Sequence, residues 1–133
     1  MTWEYHQKNG GMYRDGALVG LGYSGINDGL DNHAEQNVPD VGPIPVGTYD
    51  IGEAFTHPQC GPMSMRLTPQ PGTDTFGRDG FLIHGDNQDM NHTASHGCII
   101  LPKIIRAAIS ASGDHVLEVV AEYLTPSPIK LKP

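Results

Sequence analysis

The sequence predicts a mainly β fold with one helix, and three observations support this class. Glycine (17 residues) and proline (11 residues) are abundant in a chain of 133 residues, which favours a turn-rich β fold over a helical bundle. Short segments with alternating or β-branched apolar residues recur along the chain and are separated by turn residues. Only residues 101–113 have apolar residues at convincing helical spacing. The length suits one domain with one hydrophobic core.

The first 25 residues predict a three-stranded meander. Residues 2–7, TWEYHQ, alternate and contain two aromatic side chains, as a half-buried strand does. Asp15-Gly16 is a hairpin signal, because both central residues of such a turn adopt positive φ. Residues 17–25 are then predicted to be the returning strand. The polar, turn-prone residues 27–43 predict a long loop, and such loops in compact domains are often binding elements.

The rest of the chain predicts further strands and the single helix. Strands are predicted over residues 48–55, 64–69, 81–84 and 115–124. In the helix, Pro102 suits the first turn and Gly113 is a natural C-terminal stop. We expect a folded domain over residues 1–124 and a loosely held, proline-rich tail over residues 125–133.

Charge and hydropathy exclude several functions. The formal net charge is -7 with only 8 Lys and Arg residues, so we expect no binding to nucleic acid, whose phosphates require a basic face. No apolar run approaches the ~20 residues of a membrane span. The first ten residues do not resemble a secretory signal. We therefore expect a protein made in the cytoplasm without a leader, which something else must carry if it acts outside the cell.

The segment SHGCII, residues 95–100, predicts a cysteine nucleophile at Cys98. A thiol with the usual pKa of ~8.5 is mostly protonated at neutral pH and needs a nearby base. Two histidines are candidate bases: His96 lies two residues earlier, and His84 ends the apolar strand FLIH. Gly97 lets the backbone turn, so that the N–H groups of Gly97 and Cys98 are candidate donors to an oxyanion.

Other interpretations of the same residues remain open at this point. Cys98 is alternatively a buried structural thiol, or the partner of Cys60 in a disulfide. His84, His92, His96 and Cys98 together are similar to a mixed-ligand metal cluster, but their spacing fits no familiar zinc pattern. We predict no metal and no cofactor.

Several motifs resemble the L,D-transpeptidases, cysteine enzymes that act on bacterial cell-wall peptides. The family's signature is a histidine at a strand end followed by Ser/Thr-His-Gly-Cys, and here FLIHGDN and ASHGCIIL (residues 81–87 and 94–101) are similar to it. GPIPVGTYDI, residues 42–51, resembles the family's upstream strand. Residues 3–25 further resemble a compact branch, the type VI secretion L,D-transpeptidase effectors. The resemblance runs from about Trp3 to Tyr123.

The resemblance implies a β-sandwich-like catalytic domain over residues 1–124 and a role for each motif residue. It implies that His84 is the general base, oriented by the backbone around Gly85, and that Cys98 attacks the carbonyl between the L-centre of the third stem residue and the terminal D-alanine. A thioester remains, which water or an amine resolves. Ser95 and His96 are expected to support the turn and to contact substrate. Four further residues are candidates for the substrate pocket: Tyr23, Gly85, Asp86 and Arg78, the last as partner of a stem carboxylate.

The chain also departs from the usual family pattern. Ile100 and Leu101 stand where an asparagine or arginine is usual, and the stretch from His84 to Ser95 is shorter. These departures favour water or a free D-amino acid over a second stem, and hence an L,D-carboxypeptidase or exchange enzyme, with transpeptidation as a third outcome.

The resemblance also implies a setting for the protein. It implies an antibacterial effector toxin that acts on peptidoglycan stem peptides in the periplasm of a target bacterium, with a cognate immunity protein and the secretion apparatus as partners. Two alternatives are a cysteine hydrolase with another amide substrate, and a non-catalytic module that binds the cell wall or an immunity protein.

Overall fold

The structure of this chain is a computed structural model, which describes residues 2–86 and 95–122. Within these ranges the chain forms ten β-strands and one α-helix, so the predicted class, mainly β with one helix, is confirmed. In chain order the elements are β1 (Trp3–His6), β2 (Gly11–Arg14), β3 (Ala17–Leu21), β4 (Tyr23–Ser24), β5 (Gly47–Ile51), β6 (Phe55–His57), β7 (Gly61–Pro69), β8 (Leu82–His84), β9 (Ile99–Ile100), α1 (Lys103–Ser112) and β10 (Val116–Val120).

The strands form a mixed sheet. Their spatial order is β3-β2-β1-β10-β5-β7-β8-β9-β4, and β6 pairs with β7 beside this path. Most neighbours are antiparallel, but β1 is parallel to β10 and β8 is parallel to β9. The β1–β10 pair joins the two ends of the described chain, whereas the paired strands β8 and β9 are separated only by the segment that leads to β9.

The predicted N-terminal meander is present as β1, β2 and β3. Asp15 (φ 53°) and Gly16 (φ 80°) form the turn between β2 and β3 with positive φ at both residues, as the hairpin signal predicted. Tyr5 and Met12, which face each other on β1 and β2, are fully buried in the core. The meander therefore contributes directly to the hydrophobic core.

The returning strand ends earlier than predicted, at Leu21, and Tyr23–Ser24 form a separate strand. The reason is a close approach at Gly22, where a Cβ atom would lie 1.8 Å from the carbonyl oxygen of Ile100. Only glycine permits this approach. β4 then pairs with β9, which places Tyr23 opposite Ile100 at the far end of the sheet.

The nine-residue strand β7 joins the two halves of the sheet. Its second half pairs with β5 (Ile51 opposite Leu67), and Arg66 in its middle pairs with Leu82 of β8. The predicted strand over residues 48–55 is in fact two strands, because the chain leaves β5 after Ile51 and returns to β7 as β6. This return forms a hairpin that extends beyond the end of β8.

Helix α1 confirms the predicted helix. Pro102 precedes its first residue, and Gly113 ends it in the left-handed region at φ 79°. Ile109 is buried in the core, whereas Ile104 on the opposite side is 77% exposed. The helix therefore packs one face against the sheet, directly after β9.

In the described part of the chain, no helix has the length and apolar character that crossing a membrane requires. The predicted domain boundary at residue 124 and the tail over residues 125–133 lie outside the described residues.

Candidate active site

A tight turn over residues 95–98 precedes β9, and the buried Ser95 hydroxyl fixes its shape. Ser95 Oγ accepts hydrogen bonds from the N–H groups of Gly25 (2.9 Å) and Gly97 (3.2 Å), and it donates to the carbonyl oxygen of Cys98 (2.6 Å). The Ser95 side chain is fully buried. Ser95 therefore supports the turn and offers no exposed oxygen to a substrate.

Gly97 gives the turn a backbone conformation that other residues rarely adopt. Its φ is 127°, and a Cβ atom at this position would lie 2.3 Å from Nη2 of Arg78. We predicted that its N–H points toward a reacting carbonyl, but this N–H already donates to Ser95. Gly97 thus contributes the shape of the turn. Of the two N–H groups predicted as donors to an oxyanion, only that of Cys98 remains a candidate.

Arg78 is buried beneath the turn and is bonded to backbone carbonyls. Its guanidinium donates to four of them: Gln36 (2.6 Å), Pro43 (2.9 Å), Gly42 (3.0 Å) and His96 (3.4 Å). It also lies over the ring of Phe81, 5.5 Å from the ring centre. The predicted pairing of Arg78 with a stem carboxylate does not fit this geometry, because its donors hold the loop over residues 27–43 against the turn.

His84 is buried at the end of β8, and its tautomer follows from one contact. Nδ1 lies 2.8 Å from the carbonyl oxygen of Gly85. Because a carbonyl oxygen only accepts hydrogen bonds, Nδ1 carries the proton and Nε2 has the free lone pair. The Gly85 carbonyl therefore fixes the orientation of the ring, and Nε2 is the nitrogen that can act as a base.

The parallel pairing of β8 with β9 brings His84 and Cys98 to neighbouring strands. Ile83 lies opposite Ile99, so the same register places Cys98 beside Leu82. The Leu82 N–H donates to the Cys98 sulfur, which also lies 3.8 Å from the carbonyl oxygen of Gly80. Leu82 and His84 point to the same face because they are two residues apart in one strand. Cys98 and His84 are thus diagonal neighbours, without a direct hydrogen bond between sulfur and ring.

Both groups are uncharged in the resting protein at neutral pH. Burial raises the pKa of the Cys98 thiol to about 11, although the Leu82 N–H and the positive charges of Arg78 and Arg66 oppose this. Burial also lowers the pKa of His84 below its usual 6.5, and the nearby charge of Arg106 acts in the same direction. The pair is therefore a neutral thiol and a neutral imidazole, as general-base activation requires.

His96 lies two residues before Cys98 in the turn, and its ring contacts the loop over residues 27–43. Its exposed ring bonds through Nδ1 to the carbonyl oxygen of Asp40, at 3.1 Å. It lines a shallow cavity of about 170 Å³ together with residues of two loops: Pro39, Asp40, Gly77, Arg78 and Asp79. The structure brings His84, and not His96, to the strand beside Cys98, and a role of His96 in substrate contact stays a prediction.

Tyr23 and Asp86, two predicted pocket residues, contact each other next to His84. The Tyr23 hydroxyl donates to Asp86 Oδ1 at 2.6 Å. The charge of Asp86 tends to raise the pKa of His84, opposing the effect of burial. The structure therefore places both residues near the candidate base, while their predicted contact with substrate stays a prediction.

Arg106 is a site residue that the sequence did not reveal. It is buried on α1 and donates to the carbonyl oxygens of Leu101 (3.0 Å), Pro62 (2.8 Å) and Met63 (3.1 Å). Its guanidinium also packs against Gly85, where a Cβ atom would lie 2.8 Å from Nη2. Arg106 thus supports the backbone that orients His84. No local feature of the sequence distinguishes Arg106 from an exposed charged residue of the predicted helix.

The β6–β7 hairpin borders the site, which the sequence also did not indicate. His57 Nδ1 accepts the N–H groups of Gln59 (3.0 Å) and Cys60 (3.1 Å) at the tip of this hairpin. His57 is close enough to lower the pKa of His84, and Cys60 is close enough to raise that of Cys98. Cys60 and Cys98 are both free thiols.

The described residues do not gather a metal-binding cluster. In residues 2–86 and 95–122, no group of three or more His, Cys, Asp or Glu side chains is arranged to hold an ion. His92, a member of the cluster considered from sequence, lies outside the described residues. What the arrangement offers is a thiol, a base with a defined tautomer and a rigid backbone around them.

Comparison with known proteins identifies the family. A family profile described as the Tlde1 domain matches residues 20–120, which is more than half of the chain. The chain therefore belongs to the Tlde1 domain family, a family of type VI secretion effectors. This membership supports an antibacterial effector role and indicates secretion to a target cell. A search of curated proteins found no match.

Proposed function

We propose that this chain is a cysteine-dependent enzyme that removes or exchanges the terminal D-alanine of peptidoglycan stem tetrapeptides in the periplasm of a target bacterium. The observation that carries the proposal is the parallel pairing of β8 with β9, which aligns Ile83 with Ile99 and so brings His84 and Cys98 to adjacent strands. Membership in the Tlde1 domain family supports the effector role. The sequence resemblance to L,D-transpeptidases supports the assignment of the bond before the terminal D-alanine as the one that is cleaved.

The first half of the reaction forms a thioester. The Cys98 sulfur attacks the carbonyl carbon between the L-centre of the third stem residue and D-alanine, while Nε2 of His84 takes the thiol proton. The carbonyl oxygen becomes an oxyanion, for which the Cys98 N–H is the remaining backbone donor in the turn. The C–N bond then breaks, and the His84 imidazolium returns the proton to the departing amine of D-alanine.

The second half regenerates the thiol. Water approaches the thioester, and His84 takes one of its protons as the new C–O bond forms. The C–S bond breaks, and the proton returns to the sulfur, leaving a tripeptide with a free carboxyl group. A free D-amino acid in place of water would give the exchange product. The amine of a second stem would give a cross-link.

The test is mass spectrometry of muropeptides incubated with the purified protein. We expect loss of D-alanine from tetrapeptide stems, or its replacement when another D-amino acid is added. Cys98→Ala should abolish this change and His84→Gln should lower its rate at least ~100-fold, because general-base catalysis contributes about 10²–10⁴-fold.

Cys60→Ala is the matched control, since it removes the other free thiol and should retain activity. Product formation by Cys98→Ala would contradict the proposal. If the wild-type protein changes no muropeptide and Cys98→Ala remains toxic when directed to the periplasm, a non-catalytic binding module is the better explanation.

A further inference from the structure

Arg66 differs from the other three arginines in having no oxygen partner within the described part of the chain. Arg14 pairs with Asp114, and Arg78 and Arg106 each donate to several backbone carbonyls. Arg66 is exposed, and its guanidinium lies over the ring of Phe55. An exposed guanidinium with free donors can bind a carboxylate through two parallel hydrogen bonds.

The strand register places Arg66 on the same face as the thiol. Arg66 lies opposite Leu82, and Cys98 lies beside Leu82 on the other side. Paired residues of neighbouring strands point to the same face of a sheet, so these three residues form one row across it. Arg66 is also close enough for its charge to act on the Cys98 thiol.

Phe55 provides a surface that orients the guanidinium. The centre of the Arg66 guanidinium lies 5.6 Å from the centre of the Phe55 ring, a cation–π contact between β6 and β7. Stacking on a ring leaves the N–H groups at the edge of the guanidinium free. Arg66 is therefore held in the row by the hairpin while its donors remain available.

We propose that Arg66 binds the C-terminal carboxylate of the stem peptide, so that the site selects stems whose D-alanine is the free terminal residue. This inference rests on the proposed function and names the part of the substrate that the site recognises. It also accounts for Ile100 and Leu101, which are at most 2% exposed and leave no polar contact directly after the cysteine. Arg66 supplies that contact from another strand.

The distances fit this assignment. Two strand spacings separate Arg66 from Cys98, or about 10 Å between Cα atoms. In the substrate, three bonds separate the scissile carbonyl carbon from the carboxylate carbon of D-alanine, a span of roughly 4 Å. A carbonyl held at the sulfur therefore places the carboxylate in the gap between the two residues, within reach of an extended arginine side chain.

Recognition of the carboxylate by Arg66 would make the enzyme selective for uncross-linked stems. A D-alanine that is already cross-linked has an amide in place of the free carboxylate, so it offers Arg66 no negative charge. The enzyme should then act on uncross-linked stems. Removal of their D-alanine leaves tripeptides, which lack the terminal residue that the site recognises.

The experiment compares two synthetic tetrapeptides that differ only at the C-terminus, a free carboxylate and a carboxamide. For the wild-type protein, we expect kcat/KM to be at least ~10-fold higher for the carboxylate, because a charged hydrogen-bonded pair contributes about 1.5–3 kcal/mol. Arg66→Gln should lower kcat/KM for the carboxylate by about 10–100-fold and should change that for the carboxamide less than ~3-fold. The two substrates should then be cleaved at similar rates.

Two further variants test whether the effect depends on the position of the charge and on the paired donors of Arg66. Lys103→Gln removes an exposed positive charge from α1, away from the row, and should leave the ratio between the substrates unchanged. Arg66→Lys keeps the charge but not the paired donors, and should restore part of the ratio. Equal thermal midpoints of the variants show that the fold is retained. A variant with a lower midpoint is assayed below its transition, where the ratio between substrates is still defined.

The outcomes separate this inference from the proposed function. If the wild-type protein cleaves neither tetrapeptide, the proposed function fails. If it cleaves the carboxylate and Arg66→Gln keeps the full preference, the proposed function stands and the role of Arg66 is wrong. The first two tetrapeptides carry diaminopimelate as the third stem residue; a third substrate with lysine at this position lacks the side-chain carboxylate of diaminopimelate. If the effect of Arg66→Gln disappears with this substrate, the inference is overturned, because Arg66 would then recognise the third residue.

Discussion

The site is organised around two side chains, those of Cys98 and His84, that are both neutral at rest. Burial disfavours the charged forms of Cys98 and His84 and so moves their pKa values away from each other. A preformed thiolate–imidazolium pair would require the opposite order. The chemistry therefore depends on proton transfer during attack, and the Nε2 lone pair of His84 is the group that must remain free.

This order of pKa values predicts the pH dependence of the reaction. Because burial penalises the imidazolium, neutral His84 persists to lower pH than a free histidine, so activity should be present above its pKa and lost as the pH falls below it. The acid limb of kcat/KM for D-alanine release should therefore have its midpoint below pH 6.5. A rate profile between pH 4 and pH 9 measures this midpoint.

Alkylation of Cys98 gives a control that does not depend on the substrate. In a Cys60→Ser background, the rate of reaction with iodoacetamide should rise steadily through pH 9–10, since the thiol pKa is about 11. At pH 7.4 it should be slower than that of a free cysteine peptide, whose pKa is ~8.5. A plateau of the rate below pH 8 would instead indicate a preformed thiolate.

At the scale of elements, the local signals in the sequence were sufficient for most strands and for the helix. The Asp15-Gly16 hairpin, the apolar strand ending at His84 and the helix between Pro102 and Gly113 were each predicted from neighbouring residues. The two-residue strands β4 and β9 were not, because strands so short have no periodicity. Their pairing depends on the Gly22 backbone approaching Ile100, a contact between distant segments.

The candidate site shows the same division between local and long-range information. A motif predicts Cys98 and His84, and the family resemblance that this motif carries implies the orienting role of Gly85. Arg78 and Arg106 were misjudged or missed, because a buried arginine that binds backbone carbonyls has no local sequence signature. Which carbonyls face a guanidinium is decided by the assembled fold, and no spacing in the chain encodes it.

Helix α1 contributes to the site through Arg106, which leads to a prediction with two readouts. Arg106→Met should leave the carbonyls of Leu101, Pro62 and Met63 without their donor and lower the free energy of unfolding by about 2–4 kcal/mol. It should also raise the pKa of His84, because the positive charge that disfavours the imidazolium is removed. The acid limb of the pH–rate profile should therefore move to higher pH.

Lys103→Met, in the same helix, is the matched control for charge. Lys103 is exposed, so its loss should change neither the stability nor the acid limb appreciably. Denaturant unfolding and the pH–rate profile of both variants measure the two effects. A drop in stability without any movement of the acid limb would leave Arg106 as a purely structural residue.

At the scale of the whole molecule, the two ends of the described chain meet in the middle of the sheet. β10 lies between β1 and β5, and its residues Leu117 and Val119 are at most 1% exposed. Along the sheet, the N-terminal meander is joined to β5, β7 and β8 through this C-terminal strand, and it also reaches β9 through Gly22 and β4. A substitution that destabilises β10 should consequently destabilise the meander and the strands of the site together.

This topology predicts a single cooperative unfolding transition. Trp3, the only tryptophan, reports on β1 by fluorescence, and the accessibility of Cys98 to a thiol reagent reports on the site across the sheet. Both probes should give the same denaturant midpoint.

Leu117→Ala should lower both midpoints equally, corresponding to a loss of about 2–5 kcal/mol in the free energy of unfolding, because a cavity forms in the shared core. Glu118→Ala, on the exposed side of the same strand, should change neither appreciably. Separate midpoints for the two probes would mean that the site and the meander fold as distinct units, and that the long-range pairing at β10 does not couple them.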